Sequence, residues 1–291
     1  MHPYLAPLAA AVLLACRAPA TDRANAEAAP PPEVFATAPT DTFPLAYLTG
    51  RFDPAADSNF VRLPDALTDG DGDYLLHRDA AAALGEMVAA AAADGITLRV
   101  RSATRNFERQ SQIWTAKWTG ARTLSNGVNL GTADLSDSAK ARMILLYSSM
   151  PGTSRHHWGT DVDFNAFENA YFDSGRGAAE YAWLVGHAGR FGFFQPYTSK
   201  DAGRTGYEEE RWHWSYGPLS RKLLVAYLGQ VGYGDIVGFP GADVAPEVSA
   251  IEEYVFGIDD PTYERLPDGA PFGRDPFGGD PFGEEVPGSP E

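Results

Sequence analysis

Residues 154–164 read Ser-Arg-His-His-Trp-Gly-Thr-Asp-Val-Asp-Phe, and they decide how the middle of the chain folds. Val162–Phe164 has the pattern of a short strand, in which Asp163 points to the opposite face from its two apolar neighbours. We expect Gly159 to make a tight turn just before that strand. The turn would bring His156 back towards Asp163, although the two residues cannot share a helix face. The stretch therefore predicts polar side chains on one face of a sheet and apolar packing on the other.

A second stretch about fifty residues later, Glu210-Arg-Trp-His213, supplies another carboxylate and another imidazole. A catalytic zinc ion is typically bound by three nitrogen or oxygen ligands, with an open fourth position for water and a base nearby. The two stretches together contain that set. We expect His213 to reach the metal, and Glu210 to approach the water within about 2.6–3.2 Å.

Two of the candidate ligands have rivals. His157 is adjacent to His156, and in an extended segment the two imidazoles would face opposite ways, so that only one could bind the metal. Asp161 competes with Asp163, because residues two apart on a strand share a face. In that position Asp161 could instead orient a ligand imidazole from behind. Spacing alone leaves both choices open.

The surrounding region alternates helices and strands without a strict βαβ rhythm, which indicates the α+β class. The predicted helices cover residues 78–93, 107–118, 136–147, 178–191 and 218–228, and the predicted strands cover 96–102, 162–164 and 212–216. Ser136 is expected to cap the third helix, and Gly95 to end the first.

The composition of the N-terminal end is not typical of a packed domain. Residues 1–16 form an apolar run that leads into Cys16, is too short to span a membrane and is typical of a secretory signal. Leu13-Leu-Ala-Cys16 resembles the lipobox of bacterial lipoproteins, in which the cysteine becomes the lipidated first residue. The first fifteen residues contain no Lys or Arg, which departs from the usual signal and leaves an ordinary cleaved signal as the alternative. We predict an exported lipoprotein of the cell envelope, anchored to the membrane through its lipid.

The remaining boundaries follow from composition. Residues 17–42 are rich in Ala, Pro and Thr and are predicted to be a flexible linker. We place one domain at 43–235 and an acidic low-complexity tail at 236–291. Residues 243–291 contain thirteen acidic and two basic residues, so a net −11 of the formal −16 lies there, and disorder is predicted. No basic region indicates a nucleic-acid partner, and we expect a monomer.

The motifs resemble the zinc D-Ala-D-Ala carboxypeptidase family, of the VanY and LD-carboxypeptidase type. Residues 154–163 match its pattern Ser-x-His-x-x-Gly-x-Ala-x-Asp, except that Asp161 replaces the usual Ala, and residues 210–213 match Glu-x-Trp-His. Ser102-Ala-Thr-Arg105, followed by Gln110, resembles the Ser-Gly-Tyr-Arg…Gln element of the family. The resemblance covers roughly residues 43–228.

The resemblance implies a small antiparallel sheet flanked by helices, with a zinc site on the sheet face. The implied zinc ligands are His156, Asp163 and His213. It further implies that Glu210 is the general base and that Arg105 binds the oxyanion or the terminal carboxylate of the substrate. The implied substrate-binding residues are Ser154, Gln110 and His157. The implied substrate is the stem peptide of peptidoglycan, which would lose a terminal D-alanine by D,D- or L,D-cleavage. An endopeptidase with the same zinc site and a non-catalytic cell-wall-binding lipoprotein are the alternatives.

Overall fold

Helices and short strands alternate along the computed structural model, which describes residues 43–70 and 72–262. The helices are α1 (Leu45–Leu48), α2 (Arg78–Ala93), α3 (Phe107–Trp118), α4 (Asp137–Ile144), α5 (Gly175–His187) and α6 (Gly217–Gln230). The strands are β1 (Phe60–Arg62), β2 (Leu75–His77), β3 (Val100–Ser102), β4 (Asp161–Phe164), β5 (Phe193–Phe194) and β6 (His213–Tyr216). The predicted signal with Cys16 and the predicted linker lie outside the described residues.

Four of these strands form an antiparallel sheet in the order β3-β4-β6-β5, and β1 pairs separately with β2. The predicted α+β class and the flanked antiparallel sheet are confirmed. β4 and β6 are neighbours, with Asp163 directly opposite His213 and Asp161 directly opposite Ser215. Because side chains alternate along a strand, Asp161 and Asp163 point to one face while Val162 packs on the other.

The face of the sheet that carries Val162 packs against α2 and α5. α2 forms because its alanine-rich sequence has high helix propensity. Its buried residues are Ala80, Leu84, Met87 and Ala91. Their spacing of three or four places them on one side of the helix, which covers the sheet. The bounds predicted for this helix are confirmed, and so is the stop at Gly95, whose φ of 77° lies in the left-handed region.

A second apolar cluster is formed by residues of α3, α4 and α6 together with neighbouring loops. Residues beyond 235 belong to it as well. The buried side chains of that last segment are Ile236, Ala245, Val248, Ala250, Ile251, Val255 and Phe256. The predicted boundary at residue 235 is therefore wrong, because the folded domain continues at least to residue 262. Composition averaged over the whole acidic region concealed these spaced apolar residues.

Other differences concern the ends of elements. Only the last three residues of the predicted strand 96–102 pair in the sheet. The helix predicted at 136–147 ends at Ile144, with Ser136 capping it through a hydrogen bond from the Ala139 amide. α5 begins at Gly175 and ends at His187, and a turn of 3-10 helix follows it. Within the described parts of the chain, no helix is both long enough and apolar enough to cross a membrane.

Candidate metal centre

The sheet register and one turn bring the three predicted metal ligands together. Asp163 on β4 and His213 on β6 are paired residues, and His213 Nδ1 lies 3.2 Å from Asp163 Oδ1. His156 approaches from the segment before β4, with its Nε2 3.4 Å from Asp163 Oδ2. One ligand atom from each residue lies within 4.8 Å of the others, and all three side chains are buried.

Gly159 makes the turn that places His156. Residues 155–158 form a 3-10 helix that ends at Gly159, where φ is 70°. A Cβ atom there would lie 2.3 Å from Phe60 Cε1, so only glycine fits both the backbone conformation and the space. The predicted turn is confirmed, and His156 and His157 lie in the 3-10 helix before it and not in an extended segment.

Hydrogen bonds fix which nitrogen of each ligand imidazole faces the centre. His156 Nδ1 lies 2.8 Å from the Ala103 carbonyl oxygen, which can only accept, so Nδ1 carries the hydrogen and Nε2 is left for a metal. His213 Nε2 lies 2.9 Å from Asp161 Oδ2, so an imidazole that donates there has Nδ1 free. The two rings thus present opposite nitrogens to one point.

The residues present fit a zinc ion. His156 Nε2 and Asp163 Oδ1 are buried and have no hydrogen-bond partner, which is costly for polar atoms unless a ligand satisfies them. A tetrahedral ion with bonds of 2.0–2.1 Å needs ligand atoms about 3.3 Å apart. His213 Nδ1 lies 3.2 Å from Asp163 Oδ1 and His156 Nε2 lies 3.4 Å from Asp163 Oδ2, so each imidazole faces one oxygen of the carboxylate at a separation of that size.

The electrostatics of the centre keep one carboxylate ionised and make the other more basic. Burial alone would raise the pKa of Asp163, but the facing imidazoles of His156 and His213 outweigh it and hold that pKa well below its usual range. Burial raises the pKa of Glu210, although its Oε2 lies 3.2 Å from His213 Nδ1. A buried carboxylate with a raised pKa is a suitable general base.

A small pocket, partly open to solvent, leads to the centre. Its lining residues are Arg105, Tyr147, Ser148, Ser149, Ser154, Arg155, His156, Tyr197, Tyr207, Glu210 and His213. Arg105 Nε and Ser154 Oγ are buried there without a hydrogen-bond partner. Both groups are therefore available to a ligand in the pocket, and their predicted roles towards substrate stay predictions.

His157 does not face the pocket. Its side chain is fully buried, the Gly152 amide donates to its Nε2 at 3.0 Å, and its Nδ1 lies 2.6 Å from the Arg105 carbonyl oxygen. Burial lowers the pKa of His157 to about 3, so the ring is neutral. The predicted substrate-binding role of His157 is wrong, because both nitrogens are already bonded to backbone. The ring instead holds the backbone of Arg105.

Gln110 also lies outside the pocket lining. Its Nε2 donates to the Ser149 carbonyl oxygen at 2.8 Å, and its side chain is buried. Gln110 Oε1 is buried without a hydrogen-bond partner, and the predicted role of Gln110 towards substrate stays a prediction.

Sequence reasoning missed three residues beside the centre. Tyr197 packs edge-on against the His213 ring, 4.7 Å between centroids. Lys117 of α3 donates to the hydroxyl of Ser148, a lining residue. Arg155 is buried next to Asp161. Only Arg155 had a signal in the sequence, as a charged residue inside the motif of residues 154–163.

Comparison with known proteins identifies the family to which this chain belongs. Residues 73–219, half of the chain, match the family described as VanY, D-alanyl-D-alanine carboxypeptidase. A D-alanyl-D-alanine carboxypeptidase of Enterococcus faecalis (strain ATCC 700802 / V583) is 33% identical over 146 residues, which cover 50% of each chain. This chain belongs to the VanY D-alanyl-D-alanine carboxypeptidase family, as its motifs predicted. It spans about half the length of the curated relatives it matches.

Two solved structures are also similar. VanYB in complex with D-alanine-D-alanine is 25% identical, with 60% of this chain and 84% of that chain covered and a TM-score of 0.41. A mutant of the vancomycin resistance D,D-pentapeptidase VanY in complex with Zn(II) is 26% identical, with 58% and 89% covered and a TM-score of 0.40.

Proposed function

We propose that this protein is a zinc metallo-carboxypeptidase that removes a terminal D-alanine from peptidoglycan stem peptides. The observation that carries the proposal is the convergence of His156, Asp163 and His213 on one point, with Glu210 beside them. Membership of the VanY family supports the choice of reaction and substrate.

Each group of the centre has a task in this reaction. Zinc held by the three ligands would supply Lewis acidity, which acidifies a water molecule and polarises the scissile carbonyl. Glu210 takes the proton of the attacking water and passes it to the leaving amine of D-alanine. Its backbone is fixed by a hydrogen bond from its amide to the Tyr197 carbonyl oxygen at 2.9 Å, which keeps the carboxylate aimed into the pocket.

Arg105 supplies the positive charge on the substrate side of the pocket. Its planar guanidinium can bind a carboxylate through two parallel hydrogen bonds, or stabilise the developing oxyanion. Ser154 Oγ, buried and unpaired in the same pocket, is placed to hydrogen-bond the substrate backbone. A peptide with a free C-terminal carboxylate is the ligand that suits this set.

The test of the general base is Glu210→Gln, with Glu209→Gln as the matched control. We expect the Glu210 variant to keep about one zinc per chain and to lose about 10²–10⁴-fold in turnover, since general-base catalysis contributes that much. Glu209 is a neighbouring carboxylate paired with Arg211, and its variant should keep wild-type turnover. Near wild-type turnover by Glu210→Gln would contradict the assignment of the base.

The same proteins should be assayed on defined pentapeptide and tetrapeptide stems, with products identified by mass spectrometry. Loss of D-alanine from the pentapeptide indicates D,D-cleavage, and loss from the tetrapeptide indicates L,D-cleavage. Internal cuts would identify an endopeptidase. Stem peptides that stay intact in the presence of zinc would contradict the proposed catalytic activity.

We further propose that the protein acts in the cell envelope, anchored by lipid at Cys16 and monomeric. Support comes from the apolar run of residues 1–16 and from the lipobox-like Leu13-Leu-Ala-Cys16. The substrate gives a chemical reason for export, because peptidoglycan lies outside the cytoplasmic membrane.

A further inference from the structure

Behind His213 lies a buried ion pair that the proposed reaction does not use directly. The side chains of Arg155 and Asp161 are 1% and 0% exposed, and Arg155 Nε donates to Asp161 Oδ2 at 3.1 Å. The other carboxylate oxygen, Oδ1, accepts from Thr160 Oγ1 at 2.6 Å and from Ser215 Oγ at 2.8 Å. Arg155 Nη2 donates to the same Ser215 hydroxyl at 2.7 Å. The carboxylate is thus held rigidly from three directions.

The fourth contact of this carboxylate is the metal-site imidazole. Asp161 Oδ2 is shared between Arg155 Nε and His213 Nε2, the latter at 2.9 Å. The β4–β6 register produces this contact, because Asp161 lies two residues from Asp163 on the same face and across from Ser215. The motif that this stretch resembles has alanine at this position, and an alanine side chain could make no such bond.

We propose that Asp161 is a positioning residue: it holds His213 with its hydrogen on Nε2 and its Nδ1 towards the metal, while Arg155 balances the charge of the carboxylate. The inference rests on the proposed metal site. A carboxylate that accepts from the far nitrogen of a ligand imidazole fixes the ring and its tautomer and makes the ligating nitrogen more basic. Because the positive charge of Arg155 balances the negative charge of Asp161, the ligating nitrogen becomes more basic without any net negative charge being added beside Asp163 and Glu210.

The experiment measures zinc affinity directly, by competition with a chromophoric chelator, on metal-stripped full-length protein. We expect Asp161→Asn to weaken zinc binding by about 10–100-fold. The matched control is Ser220→Ala: its hydroxyl lies 3.1 Å from Ser215 Oγ in the same buried network but does not contact Asp161. This control should bind zinc as the wild type does. The Co(II)-loaded proteins add a spectroscopic readout, in which the visible bands should shift for Asp161→Asn and stay unchanged for Ser220→Ala.

Wild-type affinity and an unshifted Co(II) spectrum in Asp161→Asn would overturn the proposal. If that variant does not fold, because Arg155 is left buried and unpaired, the double variant Arg155→Leu/Asp161→Ala removes both charges. We expect the same loss of zinc affinity from it, and wild-type affinity there would also overturn the proposal. Failure of the wild type to bind zinc would contradict the proposed function itself. The zinc affinity of the wild type therefore distinguishes failure of the proposed function from failure of the proposal on Asp161.

Discussion

At the scale of single residues, the His213 ring is surrounded by carboxylates. Nδ1 lies 3.2 Å from both Asp163 and Glu210, and Nε2 lies 2.9 Å from Asp161. Burial alone would lower the pKa of His213, but the three facing carboxylates outweigh it and raise that pKa well above its usual value. Such a concentration of negative charge favours any cation, which agrees with a divalent metal site.

Lys117 is the residue from which we expect a measurable pH effect on stability. Burial, and then the nearby Arg122 and Arg105, lower its pKa from 10.5 to about 8. The folded state disfavours the charged amine. Below pH 8, the free-energy cost of burying that charge therefore reduces the stability of the protein in full. Between about pH 8 and 10.5 the unfolded chain binds more protons than the folded one, and stability rises with pH.

The measurement is urea denaturation of the wild type and Lys117→Met at several pH values. We expect the free energy of unfolding of the wild type, minus that of the variant, to rise by roughly 2–3 kcal/mol between pH 8 and 10.5. A difference that stays constant with pH would show that burial does not lower the pKa of the Lys117 amine.

At the scale of elements, the turn at Gly159 joins the 3-10 segment of His156 to β4. We expect Gly159→Ala to destabilise the protein by about 2–4 kcal/mol, because it combines a left-handed backbone with a clash against Phe60. Denaturant unfolding measures this. The control is Gly186→Ala in α5, where nothing lies within 4 Å of the added Cβ. That change should be neutral or stabilise by about 0.5–1 kcal/mol, and a Gly159 variant that behaved likewise would contradict the account of the turn.

The sequence predicted long elements better than short ones. The predicted bounds of α2 and α3 match the structure, in which the alanine-rich sequence of α2 has high helix propensity and Asn106 caps α3. β1 and β2 were missed, since strands of three residues do not show a periodic pattern. The sequence motifs predicted the three residues that the structure brings together as a possible metal site, and the role of Glu210 as the base stays a prediction. The backbone around His157 could not be predicted, because its two hydrogen bonds join Gly152 and Arg105, which are separated in the chain.

At the scale of the whole molecule, the folded domain extends past the family match, which ends at residue 219. Tyr227 of α6 donates to the Gly152 carbonyl oxygen at 2.8 Å, in the loop just before Ser154. Arg221 forms two hydrogen bonds with Asp260, at 2.7 and 2.9 Å. The segment after the family match therefore supports the loop that leads into the metal centre.

Two shortened chains test this extension. A chain that ends at residue 262 should keep the thermal midpoint of the full protein and the proposed release of D-alanine. A chain that ends at residue 235, the boundary suggested by composition, should unfold at a markedly lower temperature and lose activity, because it exposes apolar side chains that include Ile251 and Phe256. Circular dichroism melts and the stem-peptide assay check both. Equal melting of the two chains would refute a structural role for residues 236–262.

The Arg155–Asp161 pair also constrains how this protein can evolve. Replacing either residue alone leaves an unpaired charge in a buried site, at a cost of about 3–5 kcal/mol, which is a large part of the roughly 5–15 kcal/mol that stabilises a natural domain. Replacing both at once removes that penalty. A neutral change at one of these positions is therefore expected only together with a change at the other.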